Sequence, residues 1–205
     1  MSEPTSAVAL ASQSPRRLQL LRALGLAVTV VETRYDEYSA VPPGRAEAAA
    51  GTAVDARGLA LWHAEGKARG AHSQGPPLLI AADTVVDLDG AVLGKPRDAA
   101  EAGDMLRRLA GREHRVHTGF VAVDRRADKR ISGVESTQVT FLPLADELIE
   151  RYVASGEPLD KAGAYGVQKR GALLIESIKG DFYTVMGLPL ARVGRACAAL
   201  GYALL

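Results

Sequence analysis

The stretch Leu78-Leu79-Ile80-Ala81-Ala82-Asp83-Thr84 decides the fold class of this chain. Its first five residues are apolar without a break, which is typical of a strand that other elements cover on both faces. We therefore predict a central strand that ends at Asp83. Open α/β sheets bind ligands beyond the carboxyl ends of their strands, so a carboxylate at this place indicates a functional site. An isolated aspartate at a strand end can also be a simple loop cap, and this segment alone favours that reading.

Strand-like and helical segments alternate on both sides of the central strand. The pattern predicts further strands over residues 8–11, 26–31, 116–124, 131–142 and 172–178, and a hairpin that pairs residues 85–86 with 92–93 around Asp89-Gly90. It predicts helices over residues 15–24, 45–69, 98–109, 145–155 and 188–200. We expect one α/β domain over residues 1–205, with a mixed twisted sheet flanked by helices and two lobes around a central cleft.

The composition is that of an ordinary soluble protein. Of 205 residues, 47% are hydrophobic and 24% are charged, and the formal net charge is +1. A nearly neutral chain lacks the concentrated basic face that general nucleic-acid binding needs. The single cysteine, Cys197, cannot form an internal disulfide, and no apolar run approaches the roughly 20 residues that cross a bilayer. We therefore expect a cytoplasmic protein that binds neither nucleic acid nor membranes.

A second informative segment is Leu10-Ala11-Ser12-Gln13-Ser14-Pro15-Arg16-Arg17, which ends a predicted strand and begins a predicted helix. Ser14 is a favoured N-cap residue and Pro15 suits the first helical position, so free backbone N–H groups would face the turn. Phosphate binds at such helix N-termini, and two guanidinium groups match phosphate oxygens. A capped helix with solvated arginines is the alternative, and these residues alone favour neither interpretation.

Two further segments carry polar groups of interest. Lys95 follows the predicted hairpin, which would bring a cation near Asp83. Residues 90–95 are not a P-loop, because the spacing is one residue short and Pro96 replaces the hydroxyl residue. Residues 158–168 contain two glycines around an aromatic residue, and Gln168 offers a donor and an acceptor for the edge of a pyrimidine or purine. Taken alone, this last segment is more simply a tight structural turn.

His114 and His117 do not indicate a metal site. They are three residues apart in a predicted strand, so their side chains leave opposite faces, and we predict structural roles for both. Cys197 lies among small apolar residues, and we predict a buried side chain without nucleophilic function.

Five segments, in this order, together resemble the Maf family of nucleoside triphosphate pyrophosphatases. They are LASQSPRR (10–17), AADTVV (81–86), GKPRD (94–98), PLDKAGAYGVQ (158–168) and GDFYTVMGLPL (180–190). The resemblance covers nearly the whole chain and implies a Maf- and ITPase-like α/β fold with a cleft. It also implies hydrolysis of a nucleoside triphosphate at the α-phosphorus, giving monophosphate and pyrophosphate, with Mg²⁺ or Mn²⁺ as cofactor and commonly a homodimer.

The resemblance also implies roles for nine residues. Asp83 would be the general base that deprotonates the attacking water, and Glu37 together with Asp83 would contact the metal. The phosphate-binding positions would be Ser12, Arg16, Lys67 and Lys95. The positions that separate branches of the family are Arg17, Thr84 and Gln168, and they resemble the branch that acts on dTTP and UTP. A glutamine can satisfy both the N3–H and a neighbouring carbonyl of uracil or thymine, which a glutamate cannot do equally well.

Two departures from the family pattern concern the candidate site. Gly66 precedes Lys67 and introduces a glycine into a helix that should hold this lysine rigidly. Lys169-Arg170 replaces the small residues expected after Gln168, which affects the rim of the cleft.

The resulting hypothesis is a pyrophosphatase that prefers dTTP and UTP, with modified pyrimidine nucleotides as candidate further substrates. An alternative is a nucleotide-sensing regulator of cell division with little turnover. A third hypothesis, an RNA-binding domain that uses Arg16, Arg17 and residues 125–130, is disfavoured by the nearly neutral charge.

Overall fold

The computed structural model describes residues 7–36, 55–71 and 75–204. Within them, seven strands form one mixed sheet in the order β2-β1-β3-β5-β6-β7, with β4 paired to β3. The strands are β1 (Ala7–Ala11), β2 (Ala27–Val30), β3 (Leu78–Leu88), β4 (Ala91–Leu93), β5 (Glu113–Asp124), β6 (Lys129–Phe141) and β7 (Ile175–Lys179). The helices are α1 (Pro15–Ala23), α2 (Ala56–Gly70), α3 (Ala99–Leu109), α4 (Asp146–Ala154), α5 (Phe182–Met186) and α6 (Leu190–Ala199). The predicted α/β class with a mixed sheet is confirmed.

Strand β3 is the centre of the sheet. It pairs in parallel with β1 on one side and antiparallel with β5 on the other, and residues 78–82 are all at most 2% exposed. Such burial on both faces is what the unbroken apolar run predicts. The remaining long pairs, β5 with β6 and β6 with β7, are antiparallel.

The predicted end of this strand at Asp83 is wrong. Strand β3 continues through Asp83 to Leu88, because β5 pairs with it from Leu78 to Asp87 and β4 folds back on its last residues. Ladder hydrogen bonds from the neighbouring strands outweigh the weak strand preference of one aspartate. The predicted hairpin is present, and Asp89 and Gly90 both have positive φ at its turn, as a type I′ turn requires.

One edge of β3 has a gap in its pairing within residues 7–36, 55–71 and 75–204. On that edge, β1 pairs as far as Ala81 and β4 pairs only from Val86 onward. Among the described residues, the stretch 82–85 therefore has a strand neighbour only on the β5 side. Consecutive side chains leave opposite faces of a strand, so Asp83 and Thr84 lie on opposite faces of β3. Both side chains can reach the open space at the gap, each from its own face.

Helices cover both faces of the sheet. On one face, α1 and α6 pack near Leu10 and Ile80, while α3 and α4 pack farther along the sheet around Phe141. These two helical groups correspond to the two predicted lobes. On the other face, α2 packs against Val85 through Leu59 and Ala60.

Several predicted boundaries change. The described part of the long helix begins at Ala56 after its N-cap Asp55, and residues 45–54 of the prediction lie outside the described residues. The strand predicted over 172–178 begins only at Ile175, because residues 169–174 form a 3₁₀ turn. Helix α5 was not expected from the sequence. Asp181 caps it by accepting a hydrogen bond from Thr184 N at 2.7 Å.

None of the helices in the described parts of the chain is long and apolar enough to cross a membrane.

Candidate active site

A cavity of about 640 Å³ opens at the gap in the pairing of β3. This volume is within the range of small-molecule binding sites. Eight of the nine residues proposed from the sequence line it, namely Ser12, Arg16, Arg17, Lys67, Asp83, Thr84, Lys95 and Gln168. The ninth, Glu37, lies outside the described residues. Segments that are distant in sequence therefore meet at one cleft between the two lobes.

The carboxylate and one cation of this cavity form a buried pair. Lys67 Nζ on α2 donates to Asp83 Oδ1 at 2.6 Å, and the two side chains are 8% and 10% exposed. The helix can approach the strand this closely because Gly119 lies opposite Asp83 on β5. A Cβ at Gly119 would lie 2.3 Å from the carbonyl oxygen of Ala60, so any larger residue would push α2 away.

Gly66 has a packing role that the sequence did not reveal. A Cβ at this position would lie 2.1 Å from the ring of Tyr35, so the glycine lets segment 33–35 pack flat against α2. Tyr35 Oη is in turn 2.8 Å from Nδ1 of His63, and both rings line the cavity. The glycine before Lys67 therefore allows the wall beside this lysine to form. Tyr35 and His63 were missed because neither lies in a recognisable motif.

The turn before α1 is built differently from the prediction. Pro15 begins the helix as expected, but the Ser14 side chain makes no capping hydrogen bond. Instead, Ser12 Oγ accepts from Ser14 N at 3.2 Å. Ser12 is 4% exposed and lines the cavity.

Arg17 is not a solvated arginine. It is 6% exposed and donates to Gly187 O at 2.7 Å, to Ser12 Oγ at 2.9 Å and to Thr84 Oγ1 at 2.9 Å. Gly187 has φ 105°, a conformation that favours glycine, and it brings its carbonyl to the guanidinium. Arg17 thus ties the first turn of α1 to β3 and to the segment before α6.

The hydrogen bonds fix which hydroxyls around Arg17 can donate. Thr118 Oγ1 donates its only proton to Thr184 O at 2.8 Å, so Thr84 must donate to Thr118 across their 3.0 Å contact. The Thr84 oxygen can therefore only accept from other groups. Ser12 Oγ already accepts twice, from Ser14 N and from Arg17, so its proton remains available to a ligand.

Charged groups of both lobes meet at the mouth of the cavity. Arg16 Nη1 lies 3.0 Å from Asp160 Oδ2, and Lys161 Nζ lies 2.5 Å from Asp160 Oδ1. Burial alone would raise the pKa of the Asp160 carboxyl, but Lys161 and Arg16 together hold this pKa below its usual range. Lys95 is exposed at the rim, and Gly94 O accepts from Gly163 N at 3.0 Å, which joins the two loops. Sequence reasoning assigns no role to Asp160 or Lys161, although both lie in the segment 158–168.

Gln168 carries an unsatisfied acceptor. Its Oε1 is buried and has no hydrogen-bond partner among the described residues. Leaving such a group unpaired costs about 1–3 kcal/mol.

The two histidines have separate surroundings, as predicted. His114 Nε2 is 2.7 Å from Tyr165 Oη, and burial lowers the pKa of His114 to about 4. His117 Nδ1 is 2.8 Å from Ser136 Oγ on the neighbouring strand. Among residues 7–36, 55–71 and 75–204, no group of three or more His, Cys, Asp or Glu side chains could hold a metal ion. Cys197 is buried, which raises the pKa of its thiol to about 12.

Comparison with known proteins supports the family resemblance that the sequence motifs indicate. Residues 7–200 match the family model described as Maf-like protein. The chain is 47% identical over 193 residues to the dTTP/UTP pyrophosphatase of Thermus thermophilus, covering 94% of each chain. It is 46% identical over 194 residues to the dTTP/UTP pyrophosphatase of Symbiobacterium thermophilum, covering 94% of this chain and 93% of the relative.

Among solved structures, the Staphylococcus aureus Ham1 protein matches 68% of this chain and 72% of its own, with 12% identity and a TM-score of 0.39, too low to compare the two folds in detail. The family match spans almost all of the described residues, and the two relatives are similar over nearly their whole lengths. The chain therefore belongs to the Maf family.

Proposed function

We propose that this protein hydrolyses dTTP and UTP to the nucleoside monophosphate and pyrophosphate. The observation that carries the proposal is that one cavity contains a carboxylate, Asp83, together with the side chains of Lys67, Arg16 and Lys95. The relatives named dTTP/UTP pyrophosphatase support the choice of substrate.

Phosphate binding falls to the cationic side of the cavity. A triphosphate carries several negative charges, which must be balanced before a nucleophile can approach. Arg16 and Lys95 lie at the mouth and rim, and the Ser12 hydroxyl can donate a hydrogen bond from the turn before α1. We assign these three residues, with Lys67, to the phosphate chain of the substrate.

Asp83 is the residue we assign to the chemical step. It would accept a proton from the water that attacks the α-phosphorus. The bond between the α-phosphorus and the oxygen bridging to the β-phosphorus would break, and pyrophosphate would leave with that oxygen. Lys67 holds Oδ1 of this carboxylate at 2.6 Å, which fixes its orientation toward the cavity. Lys67 is thus placed to orient the base as well as to balance phosphate charge.

The Gln168 side chain and the hydrogen bonds around Arg17 would select the nucleobase of the substrate. The Gln168 side chain lines the cavity, and its amide offers an acceptor for the N3–H of uracil or thymine and a donor for a neighbouring carbonyl. Arg17 and Thr84 would shape this part of the cleft, since they bond directly to each other.

A divalent cation, Mg²⁺ or Mn²⁺, is also part of the proposal. Mg²⁺ sites commonly use one or two carboxylates together with substrate phosphates and waters. Asp83 fits that donor set, because Lys67 contacts only its Oδ1. When bound, the ion would neutralise phosphate charge beside Asp83.

The test is a panel of nucleoside triphosphates assayed with Mg²⁺ and with Mn²⁺, in which monophosphate and pyrophosphate are measured separately. We expect both products in equal amounts, fastest from dTTP and UTP. Diphosphate with orthophosphate would place the cut at another phosphorus. Tight binding of dTTP without turnover would instead support the nucleotide-sensing regulator.

We further propose that the protein acts in the cytoplasm as a homodimer. Its ligand would be the nucleotide substrate, and it would bind neither nucleic acid nor membranes. The single cysteine supports a reducing environment, and the net charge of +1 argues against nucleic acid partners. No apolar run in the sequence approaches the roughly 20 residues that cross a bilayer, which argues against membranes. Light scattering on a size-exclusion column tests the dimer, since a monomer mass at micromolar concentration would contradict it.

A further inference from the structure

An ion pair crosses the mouth of the candidate site. Arg16 belongs to the first turn of α1 in one lobe, and Asp160 ends the 3₁₀ turn Glu157–Asp160 that follows α4 in the other. The two residues are 144 positions apart, yet their side chains are 3.0 Å from each other and both line the cavity. The Asp160 carboxylate therefore pairs with Arg16, a cation that the proposed function assigns to phosphate binding.

Asp160 holds a second cation at the same time. Its Oδ1 is 2.5 Å from Lys161 Nζ, while its Oδ2 contacts Arg16. Lys161 does not depend on this carboxylate alone, because its ammonium also donates to Glu157 O at 2.5 Å and its stem packs across Gly166. When Asp160 is displaced, Lys161 stays at the wall of the cavity, where it can receive an anion.

We propose that the Asp160 carboxylate competes with polyphosphate for Arg16 and Lys161. By pairing with both cations when no ligand is bound, it lowers the affinity of the site for substrate and for product. This inference rests on the proposed function and adds Asp160 and Lys161 to it as residues that set affinity. Neither residue touches the reacting atoms, so Asp160 is a positioning residue rather than a catalytic one.

Exposure and charge make the exchange feasible. The Asp160 side chain is 57% exposed and the Arg16 side chain 22%, so solvent and an incoming phosphate can reach the pair. Solvent-exposed ion pairs contribute little free energy, and a pyrophosphate group with several charges binds the same cations more strongly than one carboxylate. The competition becomes important after the reaction, because the returning carboxylate favours release of pyrophosphate.

The variant Asp160→Asn tests this directly. Its amide keeps the size of the side chain and removes the negative charge. Calorimetry on the full chain at low salt, with inorganic pyrophosphate and with tripolyphosphate as probes, should show binding roughly 3–10-fold tighter than in the unsubstituted protein. In steady-state assays, KM for dTTP and the inhibition constant of pyrophosphate should both fall by a similar factor, and kcat should fall or stay level.

Asp146→Asn is the matched control. Asp146 is an exposed aspartate that pairs with Arg107 at 2.7 Å, and neither residue lines the cavity. This variant should leave pyrophosphate affinity and KM unchanged. Equal or weaker pyrophosphate binding by Asp160→Asn, with an unfolding midpoint equal to that of the unsubstituted protein, would overturn the proposal.

The binding measurement separates this inference from the proposed function. If no nucleoside triphosphate is hydrolysed but Asp160→Asn still binds pyrophosphate more tightly, the proposed activity is wrong and the competition stands. If dTTP is hydrolysed and the variant binds pyrophosphate no better, the activity stands and the competition is wrong.

Discussion

The Lys67 ammonium lies 2.6 Å from Oδ1 of Asp83, and both side chains are about nine-tenths buried at the wall of the cavity. The pair joins α2 to the centre of the sheet, at the stretch of β3 that has no strand neighbour on one edge within the described part of the chain. A buried carboxylate without a partner would be costly, so the lysine stabilises the folded state as well as holding the carboxylate in one orientation. Structure and proposed chemistry thus depend on the same contact.

Replacing Asp83 by asparagine should remove turnover and retain binding. The amide keeps the shape of the side chain but cannot accept the proton of the attacking water, so kcat for dTTP should fall by roughly 10²–10⁴-fold. Pyrophosphate release measures the loss, and titration with a non-hydrolysable dTTP analogue measures the binding. Unchanged turnover in this variant would remove Asp83 from the mechanism.

Gln168→Glu should weaken the preference for uracil and thymine. The buried amide loses its donor and gains a charge beside the base carbonyl, so kcat/KM for dTTP should fall by roughly 10–100-fold. Gln19→Glu is the control, because Gln19 is exposed on α1 and does not line the cavity. The variant and the control are compared across the nucleotide panel, and equal losses for every base would contradict a role in base selection.

Gly119→Ala should destabilise the protein and lower its activity together. The added Cβ would lie 2.3 Å from the backbone of Ala60, so α2 must shift and carry Lys67 with it. We expect a loss of about 1–3 kcal/mol in the free energy of unfolding, measured with urea. In contrast, a Cβ at Gly194 in α6 meets nothing within 4 Å, and Gly194→Ala should raise stability by about 0.5–1 kcal/mol. A stable and fully active Gly119→Ala variant would show that the helix does not need this close approach.

His114 should make the protein acid-sensitive. Burial lowers the pKa of His114 from 6.5 to about 4, so between these pH values the unfolded chain binds a proton that the folded protein does not. Stability should therefore fall as the pH drops from 6.5 to 4, by about 3 kcal/mol from this residue. Urea unfolding of His114→Gln at both pH values should show a smaller fall than the unsubstituted protein, and an identical pH dependence would contradict the assignment.

The segments with strong local patterns were predictable from the sequence. The apolar run before Asp83 gave the central strand, and Asp89-Gly90 gave the hairpin turn, because burial on both faces and positive φ select particular residue types. The end of β3 was not predictable in this way. Pairing with β5 is a long-range contact, and it carried the strand five residues past Asp83 to Leu88.

In the candidate site too, local motifs were predictable from the sequence and long-range contacts were not. Motif resemblance selected eight residues that line the cavity, and the structure brings them together. It could not reveal that Arg17 is buried against Gly187, or that Asp160 reaches across to Arg16, since both contacts join segments more than 140 residues apart. Gly66 weakens the helical pattern of the sequence, but the ring of Tyr35 fills the space that a side chain there would need.

The gap between the pairing of β1 and of β4 has a consequence for how such a cleft can diversify. Asp83 and Thr84 are adjacent in the chain, yet they belong to opposite faces of β3 and serve separate tasks in the proposed site. A point substitution at Thr84 can therefore alter nucleobase preference while the carboxylate keeps its place. A single inserted residue earlier in the strand would turn every following side chain to the other face and exchange the two tasks. New specificities in this scaffold should thus arise by substitution, and length changes in this strand should be eliminated by selection.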